Sequence, residues 1–310
     1  MAAKPTEGVT NHNKEMMRLK VAIVDAGTNS FLLLIAEKSD DHFKYLLDTS
    51  TVVGLGRLKS NLIDDKILKH AQEVINTYHK LCDKYEVEKR VIVGTEFFRK
   101  IDPMYFEHFS KDFDESMILS GSEEAKLSYL SVIEDENFSF LPNPVVMDIG
   151  GGSVEFAYKS EKFTTRSFPI GAMVLTSRFV KSYPIKNQLN EGINLLNETF
   201  EGITSGDLVT IGGTGTTIVD LIDEKDFDPV RVHGRFLKIE EVENLYDKLC
   251  SMSLYDLSKA RGMEKGRERI IAAGALILMQ AVKKINMSGC FVSIRGHRYT
   301  IAKDILEQKP

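Results

Sequence analysis

The chain has 310 residues, 43% hydrophobic and 27% charged, with a formal net charge of −5. That length exceeds one small core and fits a two-domain globular protein able to bury a sizeable interior. The acidic balance and the lack of long Lys/Arg runs exclude a general nucleic-acid or membrane-surface binder, so an anionic ligand has to be met by local groups.

Residues 1–18 carry no apolar run; they are expected to be disordered, and to be neither a signal peptide nor a membrane anchor. Apolar strands follow at 20–26 and 31–38, joined by GTNS, with a third antiparallel neighbour at 43–48. Ile67, Leu68, Ala71, Val74, Ile75, Tyr78 and Leu81 recur at three- and four-residue spacing, which predicts an amphipathic helix over 63–85. A buried strand at 90–95, a short helix at 103–113, a strand at 117–120 and a helix at 122–133 capped by Ser122 complete a β-β-β-α-β-α-β-α order. The acidic segment 134–144, with two prolines, reads as a linker. Beyond it the order restarts with a strand at 145–149, a hairpin partner at 153–158, an extended piece at 163–170, helices, and a strand at 207–213.

The echo is sharpest in two loops. Both 25-DAGTNS-30 and 148-DIGGGS-153 place an Asp at the end of a buried strand, then a turn of small residues ending in Ser. Glycine lets the backbone approach a ligand closely and expose consecutive N–H groups to an anion, so Asp25, Gly27, Thr28, Asn29 and Ser30, with Gly150, Gly151, Gly152 and Ser153, form a candidate phosphate site. The alternative is a pair of tight hairpin turns. A third glycine-rich turn, 212-GGTGTT-217, adds Gly213 and Thr214 to the set. A carboxylate beside phosphate-binding amides repels the ligand unless a hard cation bridges them, which makes Asp148 a candidate ligand of Mg²⁺ or another divalent cation. Glu155 is a second candidate, or else an outward-facing strand carboxylate.

Glu123 and Glu124 fall in the first turn of a helix, where capping explains one of them and a proton acceptor for an attacking water explains the other. Arg99, four residues beyond the strand end at Thr95, reads either as a guanidinium that reaches an oxyanion or as a solvated arginine at a helix start. Lys259, Arg261, Lys265, Arg267 and Arg269, together with 295-RGHR-298, read either as a polyanion track or as a solvated helix face. Cys82, Cys250 and Cys290 are widely spaced without CxxC geometry and read as reduced core thiols of a cytoplasmic protein.

Together the motifs VAIVDAGTNSFLLLIAE, GTEFFRK, ILSGSEEAKLSYLSV, VVMDIGGGSVEFAY, FPIGAMVLTSRF, IGGTGTT, VHG at 232–234 and GRERIIAAGALIL resemble the exopolyphosphatase and guanosine pentaphosphate phosphohydrolase (Ppx/GppA) family, from Leu19 to Ala302. The resemblance implies an α/β fold of two ribonuclease H-like domains, within the actin, Hsp70 and sugar kinase superfamily. The expected domains are 19–133, completed by a C-terminal helix at 297–310, and 134–296, with the site in the cleft between them. It further implies phosphate binding by the two loops and Arg99, Mg²⁺ near Asp148 and Glu155, and Glu123 as the base that activates water.

On that resemblance the reaction releases orthophosphate from the end of inorganic polyphosphate. The alternatives are hydrolysis of guanosine pentaphosphate, non-hydrolytic binding of polyphosphate or an alarmone, and an actin-like or sugar-kinase-like ATPase. The ending at Pro310 matches the short two-domain members, and a homodimer is an expectation from the family. Three departures affect substrate preference. RLGEGL appears as 53-VGLGRL-58, with Gly54 at the usual Arg and Arg57 as a displaced substitute. RADxI appears as 267-RERII-271, with Arg269 at the usual Asp. SDxGLREG appears as 293-SIRGHRYT-300, with Ile294 at the usual Asp and the Glu also lost.

Overall fold

A computed structural model describes residues 19–39, 42–57 and 65–307; the expectation for 1–18 lies outside the described residues, as do 308–310 of the expected C-terminal segment. Strand β1 (Lys20–Ala26) is buried along nearly its whole length because Val21, Ala22, Ile23 and Val24 put apolar side chains on both faces. A strand covered by helices on both sides requires this. It pairs antiparallel with β2 (Ser30–Ser39), which pairs antiparallel with β3 (His42–Val52). After α1 (Asp65–Lys84), β4 (Lys89–Gly94) returns parallel to β1. Helices α2 (Glu96–Lys100) and α3 (Pro103–Ser110) then lead to β5 (Glu115–Ile118), parallel to β4, and α4 (Gly121–Ile133) leads away from the sheet.

The second half repeats the plan. Strands β6 (Pro144–Ile149), β7 (Val154–Lys159) and β8 (Phe163–Phe168) form an antiparallel meander. Helices α5 (Ala172–Phe179) and α6 (Asn190–Thr199) precede β9 (Asp207–Ile211), which lies parallel to β6. There follow α7 (Gly212–Asp223), α8 (Pro229–Val232), β10 (Phe236–Lys238), α9 (Ile239–Ser251), α10 (Leu254–Lys259) and α11 (Ile271–Ile285). Strand β11 (Gly289–Ser293) then runs parallel to β9 and antiparallel to β10. The sheets have the orders β3-β2-β1-β4-β5 and β10-β11-β9-β6-β7-β8. Read from β8, the second matches the first in order and strand sense, with β10 as an added edge.

From Ile271 to Val282 helix α11 is apolar all round but for Gln280 and is buried, the pattern of a helix running through a core rather than along a surface; only its last turn carries the exposed Lys283 and Lys284. The last helix, α12 (His297–Glu307), packs Tyr299, Ile301, Ala302 and Leu306 with Val21, Ile23, Leu34 and Val91 of the first sheet. The chain thus crosses between the two sheets twice, once after α4 and once between β11 and α12. The crossings are tied together: Arg295 lies 3.2 Å from the Asp135 carboxylate, and His233 Nε2 lies 2.9 Å from the same group.

Four expectations are corrected. Helix α4 is capped by Ser120 rather than Ser122, because Ser120 Oγ accepts the Glu123 amide at 3.2 Å and Glu123 Oε2 accepts the Ser120 amide at 2.8 Å. That reciprocal pair is a capping box. The strand expected over 207–213 ends at Ile211, and 212–217 forms the start of α7 instead of a turn. Gly and Thr are weak helix formers, but burial of Ile218, Val219 and Leu221 overrides that local preference. The helix expected to reach residue 113 ends at Ser110. Strands β10 and β11 lie in segments where no strand was expected.

Candidate active site

The ends of β1, β6 and β9 meet at a cleft of about 120 Å³. Its two walls are built alike. In the first loop the Gly27 amide donates to the Ser30 carbonyl at 3.1 Å; in the second the Gly150 amide donates to the Ser153 carbonyl at 3.0 Å. The loop carbonyls are used elsewhere. Thr28 O accepts from Gly56, and Asn29 O from Val53 and Gly54, each at 2.8 Å. The carbonyls of Gly150, Gly151 and Gly152 accept from Ala172, Met173 and Gly171 at the start of α5, at 2.9, 2.8 and 3.0 Å. With the carbonyls so held, the amides of Thr28, Asn29, Gly151 and Gly152 have no backbone acceptor among the described residues, and all four residues line the cleft. This is the geometry of an anion nest.

Two glycines are required sterically. A Cβ at Gly171 would lie 2.5 Å from the backbone of Gly150 and Gly151, and Gly212 adopts a φ of +80° with Asp148 Oδ1 2.8 Å from where a Cβ would stand. Only glycine tolerates that conformation and that approach.

Asp148 and Glu155 are direct cross-strand partners in the β6–β7 hairpin. Like charges opposed in this way repel at close range. Glu155 is buried and accepts Ser167 Oγ at 2.9 Å; Asp148 keeps some exposed surface but is densely surrounded at the cleft floor. Glu124 enters from α4 to face both. Burial first, and then the charge of Glu155, pushes the Asp148 carboxyl up to about 7. Burial and Glu124 raise Glu155 likewise, and burial raises Glu124 against the partial relief given by His297. Of the cations in the lining, Arg267 pairs with Glu264, Arg298 lies 2.7 Å from Asp48, and His297 lies 3.3 Å from Asp25.

Such a carboxylate set suits a hard cation. Among the described residues no three His, Cys, Asp or Glu side chains converge as a ready cage. A cation that keeps several waters and shares phosphate oxygens with its substrate needs only one or two carboxylates, which Asp148 and Glu155 offer.

Asp25, Gly27, Thr28, Asn29, Ser30, Gly150, Gly151, Gly152, Ser153, Gly213, Asp148 and Glu155 all line this one cleft. Three expected site residues do not. Thr214 turns its hydroxyl onto the Ile149 carbonyl at 2.9 Å and braces the second loop from beneath. Arg99 donates to Leu119 O at 2.6 Å and to Glu124 Oε2 at 3.0 Å, so it backs a carboxylate instead of facing the cleft. Glu123, the expected base, is exposed and closes the cap of α4, where the hydroxyl and amide of Ser120 hold its carboxyl below the usual range. Glu124, about 100° further round the helix, is the glutamate that reaches the cleft.

Glu96, Gly212, Arg267, His297 and Arg298 also line the cleft and were not singled out as site residues. Arg267, His297 and Arg298 belong to the basic segments noted in the sequence, but spacing alone does not separate them from Lys259, Arg261, Lys265 and Arg269, which lie outside the lining. Of the departures, Ile294 lines the cleft, Arg269 is exposed, and Gly54 adopts φ +76° beside the first loop; the Arg57 side chain lies outside the described residues.

A model of the Ppx/GppA phosphatase family matches residues 34–308. The chain belongs to this family. It is 28% identical over 287 residues to the bifunctional 3-dehydroquinate synthase/phosphatase of Fusobacterium nucleatum, covering 84% of this chain and only 42% of that protein. It is 22% identical over 294 residues to exopolyphosphatase 2 of Mycobacterium tuberculosis, covering 87% and 92% of the two chains. The solved Aquifex aeolicus PPX-GPPA enzyme is 25% identical with a TM-score of 0.76, covering 92% of this chain and 98% of that one. This Ppx/GppA chain accordingly has the two-part actin-like fold that the motifs implied, and among its described residues no helix is long and apolar enough to cross a membrane.

Proposed function

We propose that this Ppx/GppA protein is an Mg²⁺-dependent exopolyphosphatase that hydrolyses the terminal phosphoanhydride of inorganic polyphosphate. The observation that carries the reading is the in-register opposition of Asp148 and Glu155, with Glu124 facing both, at the floor of a cleft walled by two amide-lined loops. Asp148 and Glu155 would hold the cation, directly or through its waters. When bound, the cation supplies the positive charge that offsets these carboxylates and the phosphate oxygens.

The amides of the two loops hold the terminal phosphoryl between the sheets. Glu124 takes the proton of the attacking water; its raised proton affinity suits a group that must accept a proton near neutrality. Arg99, bonded to Glu124 and to the backbone at Leu119, keeps that carboxylate aimed. As the new P–O bond forms, the bridging P–O bond breaks, and orthophosphate and the shortened chain leave. Three free, buried cysteines support a cytoplasmic setting.

One observation favours a second substrate, guanosine pentaphosphate. A compartment of about 320 Å³ adjoins the cleft and shares Leu32, Gly212, Gly213, Ile294 and Arg298 with it. Its lining sets Phe227, Met263 and threonine hydroxyls beside the carboxylates of Asp48, Asp220, Asp226 and Glu264, with Arg298 as its one Lys or Arg, which suits an organic group better than a run of phosphates. The test is orthophosphate release from polyphosphate and from guanosine pentaphosphate, in Mg²⁺ and in EDTA. Mg²⁺-dependent release from either supports the reaction, and the faster substrate decides between them. Bound polyphosphate without release from either would make the protein a binder.

A further inference from the structure

The cleft contains three cationic side chains, and two are committed to carboxylates outside it. Arg267 pairs with Glu264, and Arg298 with Asp48. His297, the first residue of α12, is 4% exposed and has its one ion-pair contact within the cleft, 3.3 Å from Asp25 Oδ2 and outside hydrogen-bond geometry. Neither His297 Nε2, nor Asp25 Oδ1, nor Asn29 Oδ1 has a hydrogen-bond partner among the described residues. Buried polar atoms are nearly always satisfied in a folded protein, so three unsatisfied ones on the wall of one cleft mark where a polar ligand belongs.

Charge points the same way. Burial alone lowers the proton affinity of this imidazole, but Asp25 and Glu124 outweigh that effect and raise it. The surroundings therefore favour the charged form of this ring, in a cleft crowded with carboxylates.

We propose that His297, backed by Asp25, is a phosphoryl-binding residue of this cleft, contacting the terminal phosphoryl of the substrate and the orthophosphate product. The assignment rests on the phosphoanhydride reading above and adds a residue to it. No proton need move for this role: the ring offers an N–H to a phosphoryl oxygen.

Calorimetric titration of orthophosphate in Mg²⁺ into the wild type, His297→Leu and His297→Gln tests it, with thermal melts to establish that each variant folds. The expected result is a Kd raised about tenfold by the leucine and less by the glutamine, which keeps a neutral donor. The imidazole resonances of His297 in the wild type are expected to shift as phosphate is added, a readout that holds even if a variant fails to fold. Folded variants with the wild-type Kd, or imidazole resonances unmoved by saturating phosphate, would overturn the assignment. Phosphate binding that depends on His297 without polyphosphate or guanosine pentaphosphate hydrolysis would sink the reaction and keep the residue; hydrolysis with an unchanged Kd would do the reverse.

Discussion

Ser120 and Arg99 hold two adjacent glutamates to different tasks, Glu123 to the helix cap and Glu124 to the cleft. With Ser120 as the cap, Glu123 occupies the position that reaches back to the cap amide, and Glu124 is turned inward onto Arg99. Moving the cap to Ser122, as the hydroxyl nearest the two glutamates suggests, loses this distinction. The sequence SGSEEA offers two serines, and choosing between them needs the backbone direction at which the chain leaves β5. Replacing Ser120 with Ala removes the acceptor for the Glu123 amide and is expected to destabilise the protein by about 1 kcal/mol, the usual cost of a lost N-cap. Urea unfolding measures that cost, and turnover by the folded variant is expected to stay near wild type, because Glu124 is still held by Arg99.

At the level of elements, the loops were legible because their chemistry is local. An Asp at a strand end followed by small residues carries its meaning in six positions, and the matched closures at Gly27–Ser30 and Gly150–Ser153 give the two loops one geometry. The duplication was legible for the same reason, since β1 and β6 each carry an apolar run, 21–24 and 145–147, directly before the loop aspartate. Elements set by distant partners were not. Strand β10 spans only Phe236–Lys238 and exists because β11 lies beside it. Helix α7 begins in glycine and threonine because its later apolar residues are buried. Arg99 was legible as a site residue by position, but whether its guanidinium meets a ligand or a carboxylate depends on where α4 packs.

Over the whole molecule, the cleft brings together residues from β1, β6, β7, α4 and α12, so the chain must cross between its two sheets twice before the site is complete. No linear motif contains that set, which is why the choice of Glu124 over Glu123, and the place of His297, emerge only from the folded arrangement. The same convergence has a cost in stability. Asp148, Glu124 and Glu155 all have raised carboxyl pKa values, Asp148 at about 7, so between about pH 4.5 and 7 the folded state holds protons that the unfolded state has released. Stability contributed by these protonated carboxyls is present at low pH and is lost as pH rises through that window, on the order of 1 kcal/mol per pH unit for each proton held. In EDTA the melting temperature is expected to be lower at pH 8 than at pH 5.5, and Mg²⁺ is expected to raise it more at pH 8, where the carboxylates are free of protons. Equal melting temperatures at the two pH values in EDTA would show that the three carboxyls do not hold these protons. The most direct test of Glu124 as the base is the rate of orthophosphate release from polyphosphate in Mg²⁺ by Glu124→Gln and Glu123→Gln side by side. The expected result is a loss of at least about a hundredfold for Glu124→Gln, the contribution of one general base, with Glu123→Gln close to wild type; the reverse pattern would return the base to Glu123 and contradict the account of the cleft given by α4.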